Sequence, residues 1–259
     1  MNQQEKREYL IKKLAEEIPW YQNAAMPEEE GAQKRLLRSL MNVRPPVPAS
    51  QEFLKIQDEY LSEENRRKGI VNPASFLPAS GNGRIFLWQG DITRLEADAI
   101  VNAANSALLG CFQPCHSCID NVIHSWSGIQ LRLACHELMQ AQGHEEPVGT
   151  AKITSAFNLP SRFVLHTVGP AVMGTLTEED CQALAGCYQS CLELAVQNGV
   201  RSIAFCCIST GVFCFPREKA AEIAVNTVKK FLEQDKTIRQ VIFDVYEDRD
   251  LELYRRLLE

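Results

Sequence analysis

Four thiol or imidazole groups fall within eight consecutive positions in the segment Gly110-Cys111-Phe112-Gln113-Pro114-Cys115-His116-Ser117-Cys118-Ile119-Asp120-Asn121. Two thiolates and an imidazole form a tripod suited to Zn2+, a borderline-soft cation that takes sulfur and nitrogen ligands. The C-x4-H-x-C spacing of Cys111, His116 and Cys118 is not that of a zinc finger, because no second ligand pair follows at the usual distance. Three protein ligands with a vacancy are instead the arrangement of a catalytic zinc. The competing reading is a cysteine-rich loop with reactive thiols and a surface histidine, and ligand density favours the metal over it. Cys115 is either a spare thiol or a fourth ligand.

Three further segments carry polar groups suited to a phosphorylated ligand. Gly90-Asp91-Ile92-Thr93 offers a carboxylate that can accept hydrogen bonds from an exocyclic amine such as that of adenine, although a plain turn in which Asp91 orients its own backbone explains it as well. Val101-Asn102-Ala103-Ala104-Asn105 places two amides around two alanines, able either to recognise ribose hydroxyls or to satisfy loop backbone. Ser209-Thr210-Gly211-Val212-Phe213-Cys214-Phe215-Pro216 opens a helix. Its hydroxyls, glycine and exposed amides suit a diphosphate, with Phe213 and Phe215 packing on a ribose or base. The alternative there is a serine or threonine N-cap followed by core aromatics. His124 and His136 are read as structural, and His166 as a buried, hydrogen-bonded residue near the site. Cys181, Cys187, Cys191, Cys206 and Cys207 are read as buried small hydrophobes.

These loops need elements to hold them. From Arg84 onward, short β-compatible runs at Arg84–Gln89, Ala97–Ala103, Ala151–Ala156, Phe163–Val168, Ser202–Ile208 and Val241–Tyr246 alternate with helical patterns. The helices are expected at Ile119–Gln142, Glu178–Asn198, Arg217–Glu233 and Asp248–Leu258. Continuous hydrophobicity in the strands implies a sheet covered on both faces, hence a three-layer α/β/α domain with a mixed sheet. Ligands in such sheets bind beyond the carboxyl ends of the strands, where the polar loops fall.

Residues 1–82 read differently. Leu10, Ile11, Leu14 and Ile18, then Leu36, Leu37 and Leu40, recur at helical spacing, and a further helix around Phe53–Leu61 ends near Gly69. The turn-rich stretch Asn72 to Gly83 marks a boundary, so a helical extension over 1–82 is expected to pack on a main domain over 83–259. The formal charge of −6 argues against a nucleic-acid partner. No apolar run approaches the length of a membrane span, and the charged stretch Met1–Leu14 is no signal peptide. A cytoplasmic setting is expected, where reducing conditions disfavour a disulfide framework among the ten cysteines.

The motifs GDITRLEADAIVNAANSALLG, IDNVIH, LHTVGP and ISTGVFCFP, in this order from about Arg84 to the C-terminus, resemble the macrodomain family. The resemblance implies the three-layer fold and ADP-ribose as ligand. By motif, Asp91 and Ile92 meet adenine and Tyr246 stacks near it. Ser209, Thr210, Gly211, Val212, Phe213, Cys214 and Phe215 wrap the diphosphate and distal ribose. Cys118, Ile119 and Asp120 line that ribose, and Asn105 and Asp120 are the catalytic pair. Where typical members carry a run of glycines before the acidic residue, this chain has Cys-Phe-Gln-Pro-Cys-His-Ser-Cys. That resembles a zinc-containing branch of bacterial and fungal macrodomains whose ligands match Cys111, His116 and Cys118 and which carries an N-terminal helical extension. Cys214 stands where many relatives have glycine. The branch implies a Zn2+ cofactor and removal of mono-ADP-ribose from modified proteins, among them a lipoylated carrier protein modified by a sirtuin-type ADP-ribosyltransferase. A non-catalytic ADP-ribose reader and an O-acyl-ADP-ribose deacylase would use the same pocket.

Overall fold

The computed structural model describes residues 1–22, 25–79, 81 and 83–259. Residues 80 and 82, at the expected junction between extension and main domain, lie outside the described residues. Three helices come first: α1 (Gln3–Glu17), α2 (Glu30–Val43) and α3 (Gln51–Lys68). α1 begins with a reciprocal capping box between Asn2 and Glu5, and α3 with the Ser50 side chain accepting from the Phe53 amide. Each of these bonds satisfies a donor that the helix itself leaves free. α3 stops at Gly69, whose φ of 89° favours glycine, and it carries Arg66, Arg67 and Lys68 in the last turn, where cations suit the helix dipole. The apolar stripes meet in a cluster of their own, built on Leu10, Leu14, Leu40, Phe53, Tyr60 and Leu61 and joined by Ile129 from further along the chain.

Strands β1 (Ile85–Gln89), β2 (Ala99–Ala104), β3 (Ala151–Ser155), β4 (Phe163–Val168), β5 (Ser202–Phe205) and β6 (Gln240–Val245) form one sheet in the order β1-β6-β5-β2-β4-β3. All neighbours are parallel except β3 with β4, so the sheet is mixed. Consecutive residues in β2, β4, β5 and β6 are buried. Because successive side chains point to opposite faces, both faces are therefore covered. The cover comes from α4 (Ile119–Ser127), α5 (Ile129–Gln142), α6 (Glu178–Gln197), α7 (Arg217–Gln234) and α8 (Asp248–Leu258). None of the described helices is long and apolar enough to cross a membrane.

The expected single helix over 119–142 is two helices. Gly128, with φ of 102°, breaks it and becomes the N-cap of α5 without a side chain to offer. Gln57 of α3 supplies the missing acceptor, taking the Ile129 amide at 3.0 Å. A Cβ at 128 would sit 2.7 Å from Gln57 Nε2 in a backbone region that side chains rarely adopt. Gly128→Ala is expected to destabilise the protein by roughly 1–3 kcal/mol. Chemical denaturation checks this, and an unchanged midpoint would refute the reading.

Candidate functional site

Parallel pairing brings the carboxyl ends of β1, β2, β5 and β6 to one edge, and the polar loops leave from that edge. After β1, Asp91 Oδ1 accepts from the amide and hydroxyl of Thr93 at 3.0 and 2.6 Å, and Oδ2 pairs with Lys68 Nζ at 2.8 Å. Lys68 comes from α3, hydrogen-bonds Thr93 Oγ1 and lies 4.0 Å over the Trp126 ring. Burial pushes the Asp91 carboxyl up, but the Lys68 ammonium and the Thr93 hydrogen bonds outweigh it and hold it below the ordinary range. The neighbouring Ile92 is 1% exposed, so this turn presents main chain rather than the isoleucine side chain to a ligand. Tyr246, just beyond β6, is exposed.

At the end of β5, Ser209 (φ 65°) and Cys214 (φ 54°) are left-handed non-glycine residues that bracket a tight loop. It closes through Cys214 N to Gly211 O and Phe215 N to Ser209 O, both 3.0 Å, and is pinned by Val172 N donating to Phe213 O at 2.9 Å. Among the described residues, the amides of Gly211, Val212 and Phe213 find no protein acceptor. Ser209 Oγ is buried and likewise without a partner. Three consecutive free amides beside an orphaned hydroxyl could bind an anion. Gly169, after β4, is required beside it, since a Cβ there would lie 2.0 Å from Ser209 Oγ. Phe215 differs from the expectation. Its ring belongs to the hydrophobic core at 2% exposure, because the loop turns inward there to start α7, so only Phe213 is placed to pack on a ligand. The N-cap of α7 is Pro216, not serine or threonine.

Asp120 sits at the start of α4 and is 5% exposed. Asn102 of β2 donates to its Oδ1 at 2.8 Å, and Asn105, one residue beyond β2, reaches its Oδ2 at 3.4 Å. Asn102 faces His166 across the β2–β4 pairing and also contacts His166 Nδ1 at 3.2 Å, while His166 Nε2 meets Thr154 Oγ1 at 2.9 Å. Asn105 is held in turn by Gly110 O and the Ala107 amide, both at 3.1 Å. Burial raises the Asp120 carboxyl to about 6, against the Asn102 hydrogen bond and the Arg132 charge that lower it. His124 Nε2 lies 3.5 Å from Asp120 Oδ1 with neither ring nitrogen hydrogen-bonded, and burial holds the ring neutral by pushing its pKa well down.

Two residues before Asp120, Cys118 caps α4 by accepting the Asn121 amide. The donor atoms of Cys111, His116 and Cys118 lie within 4.8 Å of one another, and Cys111 Sγ is 3.7 Å from His116 Nδ1, so these side chains could hold one metal ion. Cys115 is outside the group. Its φ of 53° turns the thiol toward α2, where it meets Ser39 Oγ at 3.3 Å and Arg35 O at 3.4 Å. Burial raises the Cys118 thiol to about 11 despite the Asn121 amide, and the neighbouring Cys111 and Asp120 charges add to the rise. A cation there would reverse that balance. A second trio, His124, Cys135 and His166, is wholly buried. With His166 engaged by Asn102 and Thr154 and the Arg132 charge acting on His124, it reads as core.

Lys68, Arg38, Asn42 and Arg132 escaped the sequence reading, and only their contacts in space give them meaning. Arg132 is buried and donates to the carbonyls of Leu109, Met41 and Arg44, joining the loop before Gly110 to the end of α2.

Comparison with known proteins agrees with this geometry. The profile of the family described as "Macro domain" matches residues 101–224. A protein-ADP-ribose hydrolase of Treponema medium is 56% identical over all of this chain and all of its own. One from Staphylococcus aureus is 47% identical over 96% of this chain and 93% of its own. Among solved structures, the Trypanosoma brucei macrodomain in complex with ADP-ribose is similar with a TM-score of 0.66 and 29% identity, covering 90% of this chain and 98% of that one. With sheet order, strand-end loops and full-length relatives all in agreement, the chain belongs to the macrodomain family.

Proposed function

We propose that the protein is a hydrolase that releases mono-ADP-ribose from modified proteins, with Zn2+ on Cys111, His116 and Cys118. The observation that carries it is the buried Asp120 carboxyl, clamped by Asn102 and Asn105 two residues from the tripod. The anion nest at Gly211–Phe213 is the place for the diphosphate, and the loop Asp91–Thr93 with exposed Tyr246 the place for adenine. The relatives named protein-ADP-ribose hydrolase and the ADP-ribose complex of the trypanosomal macrodomain support this reading.

The donor set suits the metal. Tetrahedral zinc, at about 2.3 Å from sulfur and about 2.0–2.1 Å from nitrogen, sets sulfur–nitrogen edges of about 3.6 Å, against the 3.7 Å between Cys111 Sγ and His116 Nδ1. When bound, the ion supplies Lewis-acid polarisation and a fixed positive charge beside the ribose. The chain's own residues do the rest. Asn105 holds the distal ribose in register and orients Asp120. Asp120 accepts a proton from the attacking water as its oxygen bonds to the anomeric carbon, and the bond from that carbon to the modified side chain breaks with its electron pair leaving on the side chain. Lys68 enters as the partner that, with the Thr93 hydrogen bonds, keeps Asp91 ionised.

Cytoplasmic placement belongs to the same proposal, because thiolate ligands persist where cysteines stay reduced. A lipoylated carrier protein modified by a sirtuin-type transferase is one proposed substrate. The test is mass spectrometry of products from a panel of defined mono-ADP-ribosylated peptides and carrier proteins. Free ADP-ribose with the unmodified acceptor is the expected product. Tight ADP-ribose binding with every panel member left intact would make the protein a reader instead.

A further inference from the structure

The Cys111–Cys118 loop has little structure of its own: its main chain makes one internal bond, His116 N to Gln113 O at 3.3 Å. The helical extension supplies what the loop lacks. Arg38 on α2 donates through Nη2 to the His116 carbonyl at 2.7 Å and to Asn121 Oδ1 at 2.8 Å, and through Nε to Ser125 Oγ at 3.2 Å. One turn further along α2, the buried Asn42 accepts the Cys115 amide at 2.9 Å and donates to the same Ser125 hydroxyl at 2.9 Å. Asn121, fully buried at the start of α4, donates to the carbonyls of Cys111 at 3.3 Å and Gln113 at 2.9 Å. Main chain at 111, 113, 115 and 116 is thus fixed from outside the loop by the side chains of Arg38, Asn42 and Asn121, none of which touches the three donor atoms, while the Asn121 main-chain amide donates to Cys118 Sγ.

We propose that α2 of the extension is a positioning clamp for the metal tripod, with Arg38 at its centre acting through the His116 carbonyl and Asn121, and with Cys115 as part of the clamp rather than a ligand. This rests on Cys111, His116 and Cys118 binding a metal. The physical reason is preorganisation. A loop free to wander must be ordered as the ion binds, whereas a loop already held at ligand spacing gives its full affinity to the ion. Arg38 suits the task because a planar guanidinium can hold a carbonyl and an amide oxygen at once, which an ammonium does poorly.

The experiment titrates the metal-free full chain with Co2+ against a chelating indicator, reading the d–d and thiolate-to-cobalt bands, and records its thermal melting. Arg38→Ala is expected to weaken Co2+ affinity by about 10–100-fold, the usual effect of removing an outer-shell partner, while the metal-free melting temperature stays within about 2–4 °C of wild type. Arg38→Lys, which keeps the stem and the charge, recovers part of the affinity and remains measurable if the alanine variant fails to fold. Lys34→Ala, on the same helix but bridging Glu30 and Glu64 within the extension, leaves affinity unchanged. Cys115→Ala keeps the full thiolate band intensity per cobalt. Wild-type affinity in a folded Arg38→Ala or, should that not fold, in Arg38→Lys would overturn the clamp and leave the metal site standing. Loss of a third of the thiolate intensity in Cys115→Ala would make Cys115 a ligand and overturn its assignment. A wild-type protein without thiolate–cobalt bands would remove the metal reading and this inference with it.

Discussion

Asp120→Ala is expected to slow single-turnover release of ADP-ribose from a modified protein by about 100-fold or more, the usual scale for losing a positioned general base. ADP-ribose affinity should change far less, because the loops proposed for the diphosphate (Gly211–Phe213) and for adenine (Asp91–Thr93) are separate from Asp120. The fold should survive as well. With the carboxylate gone, Asn102 Nδ2 keeps its contact to His166 Nδ1, and Asn105 keeps the Gly110 carbonyl, so neither amide is left wholly unpaired. Asp120→Asn sharpens the result, since it preserves shape while removing basicity and should be nearly as slow. Rapid-quench kinetics with enzyme in excess checks both. Release by a folded Asp120→Ala within a few-fold of wild type would move the base elsewhere.

His116→Ala is expected to abolish turnover under the same conditions. Two thiols without the imidazole leave an incomplete tripod, and burial already keeps the Cys118 thiol protonated at ordinary pH when no cation offsets it. ADP-ribose affinity should fall only modestly. The variant should also melt near the wild-type temperature, because Arg38 holds the main-chain carbonyl of residue 116 rather than its ring, and the sheet core does not pass through this loop. Elemental analysis, calorimetry with ADP-ribose and thermal melting of one preparation give the three readouts. Undiminished release by the folded, metal-free variant would make the metal dispensable, and a collapsed melting temperature would make it structural.

The strands and most helices are legible because each is a local pattern: β4 runs Phe163–Val168 and α8 runs Asp248–Leu258, as periodicity indicates. The break at Gly128 is not legible, since a glycine inside an apolar pattern also occurs in intact helices and the deciding partner, Gln57, lies 72 residues away from the amide it caps. The same reason hides the way the extension docks. Its apolar stripes close mainly on one another, and its polar side chains make the approach to the site: Lys68 to Asp91, Arg38 to His116 and Asn121, Asn42 to Cys115. Hydrogen bonds between distant residues leave no period to read. Cys115 illustrates the limit within one loop, where ligand density leaves two roles open and only the left-handed turn that aims its thiol at α2 separates them. Phe215 does so too, because an aromatic two residues from an anion nest can face either the ligand or the core, and here it faces the core.

The most direct test follows one mono-ADP-ribosylated protein through a single turnover with excess enzyme as purified, after metal removal, and after Zn2+ is restored. Intact-mass spectrometry records the acceptor, and chromatography records free ADP-ribose. Complete conversion to unmodified acceptor and free ADP-ribose is expected with metal present, with loss of that conversion on stripping and recovery with about one Zn2+ per chain, as a single tripod requires. A fully zinc-loaded protein that binds ADP-ribose and leaves the modified acceptor intact would contradict the proposed function.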